Sequence, residues 1–284
     1  MNKPLITCLW LLPVLLHSED ARAWGLYTHV YYAQLLLWAV PLADPRFRRA
    51  VRRFPELLLS GACLPDVSLF SGWVGSHNLS RTHQWSVAHR LLHEARDDRE
   101  AALATGFACH LLSDIVAHNY FVPEYESRWG SQSRMAVHAA SEWAMDAHLD
   151  RELFARPGQL LGRYLPEIAG FAAHHFGAEP GLTRRALRYL MLGERLLRGA
   201  SVHRLAYRGA QVADRAAPAH FDQYAGQTAE RLLQINRLIA GDAPSWEPEP
   251  EPGQLRADRR PVESRHHSLM LPQDFFVTPG GSRD

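Results

Sequence analysis

The chain has almost no lysine: Lys3 is the single one in 284 residues. Without it, nothing is left for Schiff-base or P-loop chemistry. Cysteine is scarce too, with Cys8, Cys63 and Cys109 and no CxxC pair. That argues against a thiolate zinc site and a redox motif. Cys63 and Cys109 either pair in an oxidising compartment or pack as small core residues. Neither sign of charge dominates, since 31 Lys/Arg face 30 Asp/Glu for a net +1. Such a chain has no basic surplus to draw it onto nucleic acid or anionic lipid. No stable nucleic-acid partner is therefore expected. The GxSxG pattern of serine hydrolases is missing. Beyond the first 23 residues no 18-residue apolar run appears, so no transmembrane segment is expected in the mature chain.

What is present begins at the N-terminus. Lys3 precedes the apolar run "PLITCLWLLPVLL", and "ARA" follows as a small-x-small cleavage site. This reads as a signal peptide over 1–23, cleaved after Ala23, which predicts a secreted or periplasmic protein. Trp24 then becomes the mature N-terminus.

The rest reads as all-α, with no convincing alternating strand pairs. Thr28 is placed to cap a helix ending before Pro41. "DPRFRRAVRRFPELLLSGA" predicts one or two short amphipathic helices. Residues 63–86 read as a long loop, punctuated by Gly, Pro, Ser and Asn. Helices are expected near 87–96, 99–120, 133–154, 158–175, 182–208 and 218–240. From Gly241 the chain turns Pro- and charge-rich, a composition that cannot fold alone. One helical domain over 24–240 and a tail over 241–284 follow, and a monomer is expected. "LMLPQDFFVTP" near the end is apolar enough to dock on the body.

Histidine is the informative residue type. Nine of the 16 lie between His29 and His148. In "HLLSDIVAH", His110, Asp114 and His118 recur every four residues and share one helical stripe. Burying them among Leu, Ile and Val costs free energy unless something satisfies them. A core hydrogen bond would do so, and so would a metal ion. "HAASE" repeats the spacing with His138 and Glu142, as a surface pair or as ligands. Asp66 and His83 lie in the predicted loop and His29 near the presumed mature terminus. Imidazole and carboxylate are ligands that zinc accepts. His77, His89, His93 and His148 are spare, although His89 and His93 imitate a metal pair. Asp146 extends the His138/Glu142 stripe and could orient a liganding His. Trp73 and Trp85 are candidates to line a cleft, with burial as the default.

Together these residues resemble the zinc-dependent phospholipase C family, also called the phospholipase C/D domain and akin to the S1/P1 nucleases. The resemblance rests on Trp24, His29, the "LPD" Asp66, His83 with Trp85, His110, Asp114, His118, His138 and Glu142. It covers about residues 24–145 in detail. It implies an all-α secreted enzyme holding up to three Zn2+ ions in a cleft. One ion would take the Trp24 amine and carbonyl, His29 and Asp114. A second would take Asp66, His83, His110 and Asp114, and the third His118, His138 and Glu142. Many members place the third-site His six residues after the bridging Asp, where this chain has Tyr120. The HxxxDxxxH spacing seen here instead looks like the glycosylphosphatidylinositol phospholipase D branch. The nucleases' "DxHQPLH" stretch is absent.

The implied chemistry is phospholipase C-type hydrolysis of a phospholipid, at a membrane or micelle surface, by a zinc-activated water. Asp66 is the candidate general base. The rival readings are a nuclease on the same centre and a non-catalytic helical protein stapled by zinc.

Overall fold

The structure is a computed structural model that describes residues 25–129 and 134–250. It is helical, with no strand among the described residues. The helices are α1 (Leu26–Ala39), α2 (Pro45–Arg53), α3 (Pro55–Gly61), α4 (Trp85–Glu94) and α5 (Asp98–Val116). Then come α6 (Val122–Trp129), α7 (Arg134–Leu149), α8 (Pro157–Arg163), α9 (Leu165–Phe176) and α10 (Pro180–Gly199). The last are α11 (Val202–Ala213), α12 (Ala217–Arg231) and α13 (Ile235–Ile239).

The central element is α5. Asp97 caps it, accepting from the Arg99 and Glu100 amides at 2.9 Å each. Every residue from Glu100 to Val116 is buried, so this helix is apolar nearly all round. By length and composition the stretch Asp98–Trp129 could cross a membrane, but its apolar window lies wholly inside the protein. It escaped the sequence reading because His110, Asp114 and His118 interrupt the run. The flanking helices α1, α2, α3, α4 and α12 pack around it.

Two glycines let α3 and α5 cross at close range. A Cβ on Gly61 would stand 2.2 Å from the Leu103 carbonyl oxygen, and one on Gly106 2.0 Å from that of Leu58. Only backbone fits there. The crossing presses the end of α3 against the turn of α5 that carries His110.

Several expected elements differ in detail. Gly25, not Thr28, occupies the N-cap of α1. The predicted loop is largely short turns: Pro65–Phe70, Ser71–Val74 and His77–Leu79. The patterns over 158–175 and 182–208 each break in two. The second breaks at Ser201, which adopts the left-handed conformation (φ 57°). Cys63 and Cys109 are both buried and unbridged, the core alternative. The signal segment, Trp24 and the apolar end of the tail lie outside the described residues.

Candidate metal centre

α5 does not end cleanly. A single π-helical turn over Ala117–Phe121 follows it before α6 begins. One extra residue per turn re-aims the side chains there, and such turns concentrate at functional sites. His118 lies on this turn, with Nε2 3.9 Å from Asp114 Oδ1. Tyr120, six residues after Asp114, is half-buried beside Trp246 with ring centroids 5.6 Å apart.

Asp114 is the hub and is fully buried. Its Oδ1 faces His29 Nε2 at 3.5 Å as well as His118. Its Oδ2 faces His110 Nε2 at 3.0 Å and His83 Nε2 at 3.7 Å. Asp66 Oδ1 approaches His110 at 3.8 Å and His83 at 3.9 Å. On the other side, the His118 and His138 rings are 5.4 Å apart, and His138 Nε2 is 2.9 Å from Glu142 Oε1. The fold thus brings together His29, Asp66, His83, His110, Asp114, His118, His138 and Glu142.

The outer partners of three imidazoles decide what they present. His110 Nδ1–H donates to the Ala62 carbonyl at 2.7 Å, the contact set up by the α3–α5 crossing. Thr82 spends its hydroxyl proton on the Pro65 carbonyl at 2.7 Å, so it accepts from His83 Nδ1–H at 3.2 Å. Ser113 likewise donates to the His110 carbonyl at 2.7 Å and accepts from His29 Nδ1–H at 2.9 Å. Each ring therefore turns Nε2 toward the carboxylates. These partners carry no pattern of their own in sequence, and they were not foreseen. A Ser or Thr one to three residues from a candidate ligand is the single available hint.

Burial pushes the His83 imidazole well below its ordinary pKa, helped by neighbouring His110. Burial also lowers His110, against the pull of Asp66. Both rings are therefore neutral, and their Nε2 atoms face one another at 3.1 Å as two lone pairs. Burial drives Asp66 well above the usual carboxylate range, His110 opposing and Asp114 reinforcing. Its buried Oδ1 has no hydrogen-bond partner among the described residues. Imidazole nitrogens and carboxylate oxygens converge here within 4.8 Å, and that ligand set fits a cation, which would displace any carboxyl proton. In the third group, burial works against a charged His138, but Glu142 and Glu126 push it up to about 9. Burial lifts Glu142 to about 7 despite His138.

The ligand-type atoms fall into three groups, each within 4.8 Å: His29, Asp66 and His110; His83, His110 and Asp114; His118, His138 and Glu142. The third matches the expected set. The first two share out the same residues differently from the expected partition, because His29 reaches Asp66 as well as Asp114.

The spare histidines stay outside. His77 and His93 are exposed and His89 is half-buried. His148 bonds Tyr207 at 3.1 Å and Asp222 at 2.8 Å. Asp146 bonds no imidazole. Its Oδ1 accepts from the Thr28 amide and hydroxyl at 2.8 Å each, so it anchors the start of α1, one residue from His29. Arg198 closes this anchor, bonding Asp146 Oδ2, bonding Glu194 at 2.7 Å and lying 3.5 Å over the Tyr27 ring. Trp73 is nearly half exposed against Phe70 and Tyr189, whereas Trp85 is buried.

A family profile described as zinc dependent phospholipase C matches residues 28–177, more than half of the chain. That span contains all eight converging residues. No curated protein matches the chain, and no solved structure does.

Proposed function

Because the chain belongs to the zinc-dependent phospholipase C family, a family of phosphodiester hydrolases, we propose that it is a secreted enzyme cleaving phospholipids on the headgroup side of glycerol. The observation that carries this reading is the pair of neutral imidazoles, His83 and His110, turned lone pair to lone pair beside two buried carboxylates. In this reading the domain spans residues 24–240 and Trp24 is freed as the mature terminus. Trp24 would join His29 and Asp114 on one ion. Asp66, His83 and His110 would hold a second, sharing Asp114, and His118, His138 and Glu142 would hold a third.

Bound zinc supplies an activated water at neutral pH and neutralises the phosphate. The protein's own groups do the rest. Ala62, Thr82 and Ser113 lock three imidazoles in the liganding tautomer. Asp66, whose Oδ1 has no hydrogen-bond partner among the described residues, would take the proton of the attacking water. The π turn holds His118 opposite His138 for the third group.

The test combines metal analysis of the secreted chain with a substrate panel. Three zinc ions per chain and release of a phosphorylated headgroup from phosphatidylcholine are expected. One ion or none would overturn the scheme, and turnover of single-stranded DNA but not lipid would overturn the substrate assignment.

A further inference from the structure

The first residues of the tail dock beside the metal centre, bonding Trp85 and Asn119. Residues 244–250 have no regular secondary structure, and Pro244, Pro248 and Pro250 restrict their backbone. Two side chains grip this stretch by its backbone. The Trp85 indole N–H donates to the Trp246 carbonyl at 2.9 Å. The Asn119 amide donates to the Glu247 carbonyl at 3.0 Å while also bonding the Ile115 carbonyl at 2.9 Å. Trp246 packs on the main core beside Tyr120, and Pro248 is buried.

The grips come from sequence neighbours of two of the converging histidines. Trp85 stands two residues after His83, and Asn119 directly follows His118. His83 and His118 flank Asp114 on its two oxygens, at 3.7 and 3.9 Å. Glu249 lies close enough for its charge to act on His110, a fully buried ring. The converging side chains are themselves nearly inaccessible, so a phosphodiester must displace something to reach them.

We propose that residues 244–250 form an inhibitory strap over the metal centre, in which the Glu249 carboxylate competes with the substrate's phosphate. The inference rests on the metal-dependent reading above. A carboxylate and a phosphate answer to the same cationic centre, and two neutral hydrogen bonds with one half-buried indole make an anchor that a substrate can displace.

The experiment titrates inorganic phosphate into the zinc-loaded full chain by calorimetry. Glu249→Gln is expected to tighten phosphate binding at least threefold and to raise turnover of a short water-soluble phosphodiester. Trp246→Ala should act in the same direction, with circular dichroism confirming that it folds. Glu247→Gln, exposed and two residues away, should leave phosphate affinity unchanged. Unchanged affinity in Glu249→Gln and Trp246→Ala, or an equal gain in Glu247→Gln, overturns the strap whatever the lipid assay shows. Tighter phosphate binding without hydrolysis of any ester upholds the strap and overturns the hydrolase reading.

Discussion

Two buried charged clusters share α1 and α7. Around Asp114, imidazoles and carboxylates face inward, and among the described residues no Lys or Arg enters. One turn further along α7, Asp146 and Glu194 bracket Arg198, whose guanidinium answers both carboxylates and rests on Tyr27. Burial is comparable, yet the partners differ: a guanidinium in one cluster, imidazoles in the other. The Arg198 cluster is closed within the chain, so it reads as a structural clamp on the start of α1. The Asp114 cluster groups ligand-type imidazole and carboxylate atoms within 4.8 Å of one another, so it reads as a functional centre.

The sharpest way to break this contrast is to remove each hub. Asp114→Asn should lower phosphodiester turnover by roughly 10³-fold or more and reduce zinc per chain, because two ions lose a shared ligand. Activity assays with elemental analysis check both. Arg198→Met should leave the His118, His138 and Glu142 ion in place. It should destabilise the fold by about 3–5 kcal/mol in denaturant titration, because two buried carboxylates lose their partner. A loss below about 1 kcal/mol would show that the clamp is no more than a surface pair.

A pH titration sharpens the closed side. Burial, with Arg198 beside it, lowers His203 to about 4, below its ordinary 6.5. The neutral ring is thus the folded form. Its contribution is fully present above pH 6.5 and is lost as pH falls through 4. His203→Gln should flatten that part of the stability–pH curve. On the open side, Ser113→Ala removes the acceptor that orients His29. It should weaken one zinc by ~10–100-fold in chelator competition and leave zinc-free stability nearly unchanged.

Much of the centre was legible because its spacing is local. His110, Asp114 and His118, and likewise His138 and Glu142, sit four apart, and a helix aligns such residues whatever surrounds it. The all-α class was legible for the same reason. Asp146 was misjudged. Its stripe pointed at a liganding histidine, but its partners, Thr28 and Arg198, come from distant parts of the chain. The break at Ser201 was missed because the apolar period runs on through it. The π turn carries no mark in the residue pattern either.

By itself, then, the sequence determined that the chain builds helices and that several of them carry stripes of metal-binding side chains. Both are consequences of short-range backbone geometry. Only the tertiary structure decided how those stripes meet. The backbone-to-backbone crossing at Gly61 and Gly106 sets the Ala62 carbonyl on His110 and so turns its lone pair inward. Thr82 and Ser113 do the same for His83 and His29, and the chain returns far downstream to bond Trp85 and Asn119 through the Trp246 and Glu247 carbonyls. Apart from Thr82, which directly precedes His83, those contacts join residues tens of positions or more apart, and no local period encodes them.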